Sequence, residues 1–235
     1  MTDWKLAQEI EEYIAAGGPG KVGFADIRDT GEALAKKWPM AVTILSPLET
    51  GPLREIGNGP TKNYRDEYVR ANKYLAVLGE GVRDLVEKKG YRAYLVGPTT
   101  EGWDKRTLAA EFPHKTAATR AGLGWIGKCA LLVTKDYGSA LRMCTILTDA
   151  PLPAGKPVEN SLCGGCTECM TDCPVSAPTG REWSPDLSRK DIIDIRACYD
   201  QAKAFSDASD LGHTICGICM VACPWTKAYM SQKQG

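Results

Sequence analysis

Apolar positions in the first 150 residues switch between a helical and a strand period. Residues 3 to 16 put Trp4, Leu6, Ile10, Tyr13 and Ile14 largely on one side of a helix, with Asp3 placed to cap it and Gly17-Gly18-Pro19-Gly20 to end it. A short strand is expected over 21–27, a short helix over 30–37, and a buried strand over 40–45, bounded by Pro39 and Pro47. The Gly/Pro-rich stretch 49–60 is longer than a compact domain usually spends on a connection, so it is expected to cover something. The longest periodic segment, 63–89, carries Tyr64, Tyr68, Leu75, Leu78, Val82, Leu85 and Val86 at mostly three-, four- and seven-residue intervals and predicts one helix closed by Gly90. A strand over 91–96 follows, ended by Gly97-Pro98; 104–121 is helical in pattern with an interruption at Pro113. Two apolar runs, 130–134 and 140–147, flank Lys135–Ser139 and outline a hairpin.

Helix, turn and strand in this order predict a layered α/β (α+β) domain over residues 1–150. After Asp149 the composition changes: Pro151, Pro153, Gly155 and Pro157 form a linker, so a second module is expected over 151–235, with short helices at 166–172 and 219–229 and a longer one at 191–205. Apolar content of 43% and charged content of 25% are ordinary for a globular protein. Lysine plus arginine equals aspartate plus glutamate at 29 each, so no net basic field holds nucleic acid, although a local patch stays open. The N-terminus has no charged n-region before an apolar core, and no apolar run approaches the roughly 20 residues of a membrane span. A cytoplasmic protein away from membranes, with reduced thiols, is the expectation.

The thiols carry the chemistry. Of ten cysteines, eight lie between Cys163 and Cys223. Cys163, Cys166, Cys169 and Cys173, with Pro174 directly after, have the C-x2-C-x2-C-x3-C-P spacing of [4Fe-4S] ligation, in which the fourth cysteine serves the other cluster. Cys216, Cys219 and Cys223, followed by Pro224, form the second run. Crossing gives cluster one Cys163, Cys166, Cys169 and Cys223, and cluster two Cys173, Cys216 and Cys219 with one position open. Cys198, the other cysteine inside the stretch, is the candidate for it. Cys129 and Cys144 sit in apolar surroundings and read as ordinary buried thiols. Paired zinc sites compete, but zinc usually joins one C-x2-C to a distant pair or to histidines. His213, three residues before Cys216, reads as a neighbour rather than a ligand.

A second stretch, His114 to Lys128, places Gly122, Gly124 and Gly127 around Trp125 ahead of an apolar run. Either a backbone approaches something flat or bulky there, or the stretch is a tight turn with Trp125 in the core. Gly122-Leu-Gly-Trp-Ile-Gly-Lys128, then Leu132, Gly138, Thr148-Asp149, Cys163-Gly-Gly-Cys166 through Cys173-Pro174 and Cys216 to Cys223-Pro224-Trp225, resemble in order and spacing the epoxyqueuosine reductase family, which is related to reductive dehalogenases.

The resemblance implies a ferredoxin-like double [4Fe-4S] module feeding a base-off cobalamin on a cobalamin-binding-type α/β domain, with Cys198 paired to the second run. It implies that Gly122, Leu123, Gly124, Trp125, Gly127, Lys128 and Gly138 approach the corrin. The reaction would be a substrate reduction fed by a low-potential donor of ferredoxin or flavodoxin type. A corrinoid-binding electron carrier, or one that reactivates a corrinoid protein without turning over a small molecule, is the alternative.

Two departures from the family pattern stand out. Its members continue into a helical-repeat segment that helps hold tRNA, whereas this sequence stops at Gly235, so tRNA is expected to be an unlikely partner. They also carry a proton-donating aspartate about fourteen residues before the first glycine, where an ungapped count lands on Leu108. Asp104 or Glu111 would stand in for it after a loop shift. His114, beside Lys115, supplies another polar pair, and Tyr64 or Tyr68 would offer a phenol in place of a packing role.

Overall fold

A computed structural model describes residues 1–98, 104 and 106–232. In chain order the elements are α1 (Trp4–Gly17), β1 (Lys21–Asp26), a 3-10 turn (Ala33–Lys36), β2 (Met40–Pro47), α2 (Thr50–Arg54), α3 (Lys62–Lys88), β3 (Ala93–Val96), α4 (His114–Arg120), β4 (Trp125–Ile126), β5 (Leu132–Val133) and β6 (Leu141–Thr148). The C-terminal part adds α5 (Glu168–Thr171), α6 (Arg189–Ile192), α7 (Ile195–Ser209), α8 (Ile218–Ala222) and α9 (Pro224–Gln232).

The chain divides into two compact units that are interleaved in sequence. One comprises 1–47, 71–123 and 142–158; the other comprises 48–70, 124–141 and 159–235. The composition break after Asp149 therefore lies inside the first unit, which runs on to Val158. That linker is tied down there by backbone bonds: Gly155 N donates to Phe24 O at 2.8 Å and Val158 N to Thr119 O at 2.9 Å.

The first unit is built on a four-stranded sheet in the order β1-β2-β6-β3, with β1 antiparallel to β2 and β3 antiparallel to β6. Period-2 alternation splits its residues between two cores. Phe24, Val42, Ile44, Cys144 and Ile146 meet Leu6, Ile10 and Ile14 of α1 and Leu75, Leu78, Val82 and Val86 of α3. The alternate residues Ala25, Ala41 and Leu147 meet Ala117 and Ala121, with Trp38 and Phe112. Every residue of β2 is buried, as its unbroken apolar run requires of a central strand covered on both faces. At the start of α1 the Asp3 carboxylate accepts from Leu6 N at 3.0 Å, the expected cap.

Three expectations change. The helix over 30–37 is a single 3-10 turn, and 104–121 is helical over His114–Arg120 alone among its described residues. Thr99 to Trp103 and Lys105 lie outside the described residues. The hairpin over 130–147 shrinks to one antiparallel bridge, in which Thr134 N donates to Gly138 O at 2.9 Å and Gly138 N to Thr134 O at 3.1 Å; β6 instead joins the sheet between β2 and β3, and β5 pairs upstream with β4. There Gly127 N donates to Leu131 O at 2.9 Å and Ala130 N to Gly127 O at 2.8 Å, closing β4 onto β5.

The second unit has little sheet. Its apolar cluster is Ala130, Ala177, Trp183, Ile192 and Ile193, against which Cys173 and Cys198 pack. The helix expected over 191–205 breaks at Ile193, where Asp194 caps a new helix by accepting from Ala197 N at 3.0 Å. Cys198 thus sits on the first turn of α7.

Candidate metal centre

The second unit holds a small cavity lined by Cys163, Cys166, Cys169, Cys223, Lys128, Cys129, Val133 and Pro224. Three of its thiols, Cys163, Cys166 and Cys169, come from the first cysteine run and one, Cys223, from the second. All ten cysteines are free. Among the described residues, no three His, Cys, Asp or Glu converge tightly enough for a single metal ion. Four thiols ringing a cavity suit a multi-iron cube and not one tetrahedral zinc.

Local structure builds the ring. Cys166 N donates to Cys163 O at 3.1 Å in the tight turn through Gly164, whose φ of 52° is left-handed. Lys128 is buried, and its ammonium donates to Gly164 O at 2.6 Å and Cys166 O at 3.1 Å, pinning this loop from the far side. It also places a positive charge by the thiols and favours the Cys169 thiolate. The largest influences on Cys169 and Cys223 oppose ionisation. The hydrogen bond with Cys129, then burial, pushes Cys169 up; burial pushes Cys223 up, reinforced by Cys163 and Cys166. A cationic group among them would favour the thiolates of Cys169 and Cys223, which is what iron supplies.

Of the other four cysteines in the two runs and between them, Cys198 lies on α7, Cys219 on α8, Cys216 just before α8 and Cys173 at the end of the first run. Ala177 N donates to Cys173 Sγ at 3.3 Å, and Cys173 and Cys198 share the apolar cluster under α7. Burial raises Cys216, with Cys173 near enough to add to the effect. Tyr64 and Ile56 seal the back of this run: a Cβ at Gly217, where φ is 90°, would lie 2.9 Å from Ile56 and 3.1 Å from the Tyr64 ring. Tyr68 packs on His213, ring centroids 5.6 Å apart. Both tyrosines expected as phenol donors therefore lie beside the second cysteine run.

Sequence reasoning missed Cys129. Read as an ordinary core thiol, it lines the cavity beside Cys163, Cys166 and Cys169. Its neighbour in sequence, Lys128, was the available signal. Cys144, by contrast, is an ordinary core thiol of the first unit, donating to Leu75 O at 3.5 Å.

The glycines expected to approach a corrin are already filled by the chain. A Cβ on Gly122 would sit 2.7 Å from Lys156 O, and one on Gly127 would sit 2.8 Å from the Val133 side chain. At Gly124 it would run into Val133 O, and at Gly138 into the Thr226 amide. Trp125 is buried against Trp225, edge to face at 5.3 Å, with its indole Nε1 lacking a partner. Leu123 packs beneath Gly23 in the first unit. The tight-turn reading accounts for how these residues pack.

The proton-donor candidates separate too. The Asp104 carboxylate accepts from Arg106 N at 2.7 Å and Thr107 N at 3.0 Å, bonds that hold its pKa down and make it a turn acceptor. Leu108 is in the same turn at φ 54°. Glu111 accepts from the Tyr94 hydroxyl at 2.9 Å. Lys115 lies half-buried one position into α4. His114 is buried in the first unit, its Nδ1 2.9 Å from Thr145 Oγ1, and burial lowers its pKa to about 4, aided by Arg142.

Comparison with known proteins places this geometry. Residues 162–226 match the 4Fe-4S double cluster binding domain. An epoxyqueuosine reductase of Gloeobacter violaceus is 31% identical over 244 residues, covering 95% of this chain and 68% of that protein. The epoxyqueuosine reductase of Aliivibrio fischeri is 31% identical over 172 residues, 69% of this chain and 40% of the relative; the chain spans about two fifths of such longer relatives. Among solved structures, a reductive dehalogenase described as suggesting a mechanism for B12-dependent dehalogenation has a TM-score of 0.70 at 20% identity over 94% of this chain and 31% of its own. An epoxyqueuosine reductase with an epoxyqueuosine-modified tRNA-Tyr stem loop has a TM-score of 0.60 at 19% identity, over 96% of this chain and 66% of its own.

The last structure overturns the expectation that tRNA is an unlikely partner. That expectation rested on where the sequence ends and on zero net charge. Neither bears on binding, because a stem loop meets one local face and not the sum over the whole surface. Among the described residues no helix is long and apolar enough to cross a membrane.

Proposed function

Since the chain belongs to the epoxyqueuosine reductase family, we propose that it is an iron-sulfur reductase acting on the epoxyqueuosine of a tRNA stem loop. The observation that carries this reading is the ring of Cys163, Cys166, Cys169 and Cys223 around one cavity inside the matched double-cluster region. Cys173, Cys198, Cys216 and Cys219 are proposed to hold the second cluster. The two clusters, when bound, supply one-electron transfer, and the reduction of an epoxide takes two electrons and two protons from a low-potential donor of ferredoxin or flavodoxin type.

The chain's own residues do the positioning. Lys128 fixes the Gly164 turn that sets the spacing of the first two thiols, and Asp194 fixes the helix turn bearing Cys198. Backbone amides of Thr226 and Trp225 donate toward Cys223 and favour its thiolate. Val133 and Pro224 wall the cavity with apolar surface that keeps water from the sulfurs.

Cobalamin as the site of substrate reduction is proposed from the B12-dependent dehalogenase relative alone. Because Gly122, Gly124, Gly127 and Gly138 are spent on internal packing, no step is assigned through it.

Anaerobic reconstitution tests the reading. About eight irons per chain are expected, together with base-off absorbance retained with added cob(II)alamin through gel filtration, and donor-dependent conversion of epoxyqueuosine in a tRNA stem loop. About four irons would refute the two-cluster assignment. Eight irons without retained corrinoid would refute cobalamin, and an unchanged stem loop would refute the substrate.

A further inference from the structure

Lys128 is the one lysine or arginine that is buried among the described residues, at 7% exposure, and the one basic residue lining the cavity of Cys163, Cys166, Cys169 and Cys223. It follows Gly127 in the β4–β5 turn. A Cβ built on Gly127 would lie 3.6 Å from Cys163 Sγ, so the backbone that carries Lys128 abuts the ring.

The ammonium donates to two neutral oxygens, Gly164 O at 2.6 Å and Cys166 O at 3.1 Å. Among the described residues it joins no ion pair. Carbonyl dipoles satisfy its N–H groups but leave its charge without a countercharge, in a place where water screens little. Pinning a turn needs only a donor. A buried charge adds a desolvation cost that a neutral amide avoids, and an anion bound beside it offsets that cost. Four thiolates around an iron-sulfur cube carry net negative charge, and reduction adds to it. A cluster seated in this ring is the missing countercharge.

We infer that Lys128 sets the potential of the first cluster: its buried charge stabilises the reduced state and raises the midpoint, in addition to its grip on the Gly164 turn. The inference rests on the assignment proposed above, in which Cys163, Cys166, Cys169 and Cys223 hold that cluster. No electron or atom passes through Lys128. Its effect is the field it imposes on the ring.

The test uses the full chain, reconstituted anaerobically as the native protein, Lys128→Gln, Lys128→Arg and Cys198→Ala. Iron content is measured first, then the midpoint of each cluster by redox titration followed by electron paramagnetic resonance. Cys198→Ala, expected to keep the first cluster alone, identifies which midpoint belongs to it. Glutamine donates to the turn without a charge, whereas arginine donates and carries one. The expected result is native iron content in both Lys128 variants and a first-cluster reduction constant at least tenfold lower in Lys128→Gln, about 59 mV more negative for one electron. Lys128→Arg should stay near the native midpoint, and the second cluster should be unmoved in both. Native midpoints in Lys128→Gln at full iron content would overturn the inference, as would an equal fall in Lys128→Arg. Iron falling by half in Lys128→Gln would also overturn it, by reducing Lys128 to a clamp on the turn. If Lys128→Gln does not fold, Lys128→Arg decides: a native first-cluster midpoint supports the charge effect, and a tenfold fall overturns it. About four irons in the native protein would count against the two-cluster reading itself, a separate failure.

Discussion

Acidifying the solution from about pH 8 to about pH 5 should weaken the fold through His114, and the size of the effect can be worked out. The imidazole is 8% exposed, within the core of the first unit, with Nδ1 at 2.9 Å from Thr145 Oγ1, which in turn lies 3.4 Å from Thr43 Oγ1. Burial, then the charges of Arg142 and, after a countering bond to the Gly97 backbone, Lys115, bring its pKa from 6.5 to about 4. The unfolded chain therefore binds a proton below pH 6.5 that the folded chain refuses until about pH 4. Stability is fully present above 6.5, falls as pH drops through this window, and levels off below it.

A gap of about 2.5 units corresponds to roughly 3 kcal/mol in total, of which about 2 kcal/mol is lost by pH 5. Urea unfolding followed by far-UV circular dichroism, under anaerobic conditions at both pH values, reads this loss. Every carboxylate and cluster contributes as well, so the decisive quantity is the difference between the native chain and His114→Gln. The native chain should lose about 2 kcal/mol more than the variant between the two pH values. Parallel losses, equal within about 0.5 kcal/mol, would show that His114 is protonated in the fold and refute the reasoning.

Replacing Lys128 by Met should strand the carbonyls of Gly164 and Cys166 at a cost on the order of 1.5–3 kcal/mol for each charged hydrogen bond lost, and iron should fall from about eight toward about four per chain as the first cluster fails to seat. Cys198→Ala should also halve the iron, while leaving the cavity ringed by Cys163, Cys166, Cys169 and Cys223 able to hold its cluster; retention of all the iron would remove Cys198 from the ligand set. Gly124→Ala drives a methyl into Val133 O and should lower stability by about 1–3 kcal/mol or more in thermal melts, whereas Gly57→Ala, with nothing within 4 Å, should stay within about 0.5 kcal/mol of native.

Much of the cluster site was legible because its information is local. The spacing Cys163 to Cys173 is a property of one turn and one short helix, and the trailing prolines mark where each run ends. That Cys223 lines one cavity with the first run agrees with the counting rule. What could not be read was whatever depends on distant pairing. The run 140–147 looked like half of a hairpin because its alternation says only that it is a strand. Its neighbours β2 and β3 are chosen by which sheet needs a buried centre. Cys129 looked like a core residue because Cys163, Cys166 and Cys169, with which it lines the cavity, lie 34 to 40 positions away. The glycines around Trp125 signalled a close approach correctly, but not to what: the approaching atoms belong to Lys156, Val133 and Thr226.

The interleaving of the two units has a consequence for anyone wishing to cut the protein. Each unit draws on three separated segments, so the chain passes from one to the other five times. Cleaving at the composition break near Asp149 would leave the C-terminal fragment with its cysteine runs but without Lys128, Cys129 and Val133, three walls of the cavity. A minimal ferredoxin excised from residues 151–235 should therefore bind iron less firmly than its cysteine spacing suggests. During synthesis, the proposed first ring must wait for Cys223, 60 positions after Cys163.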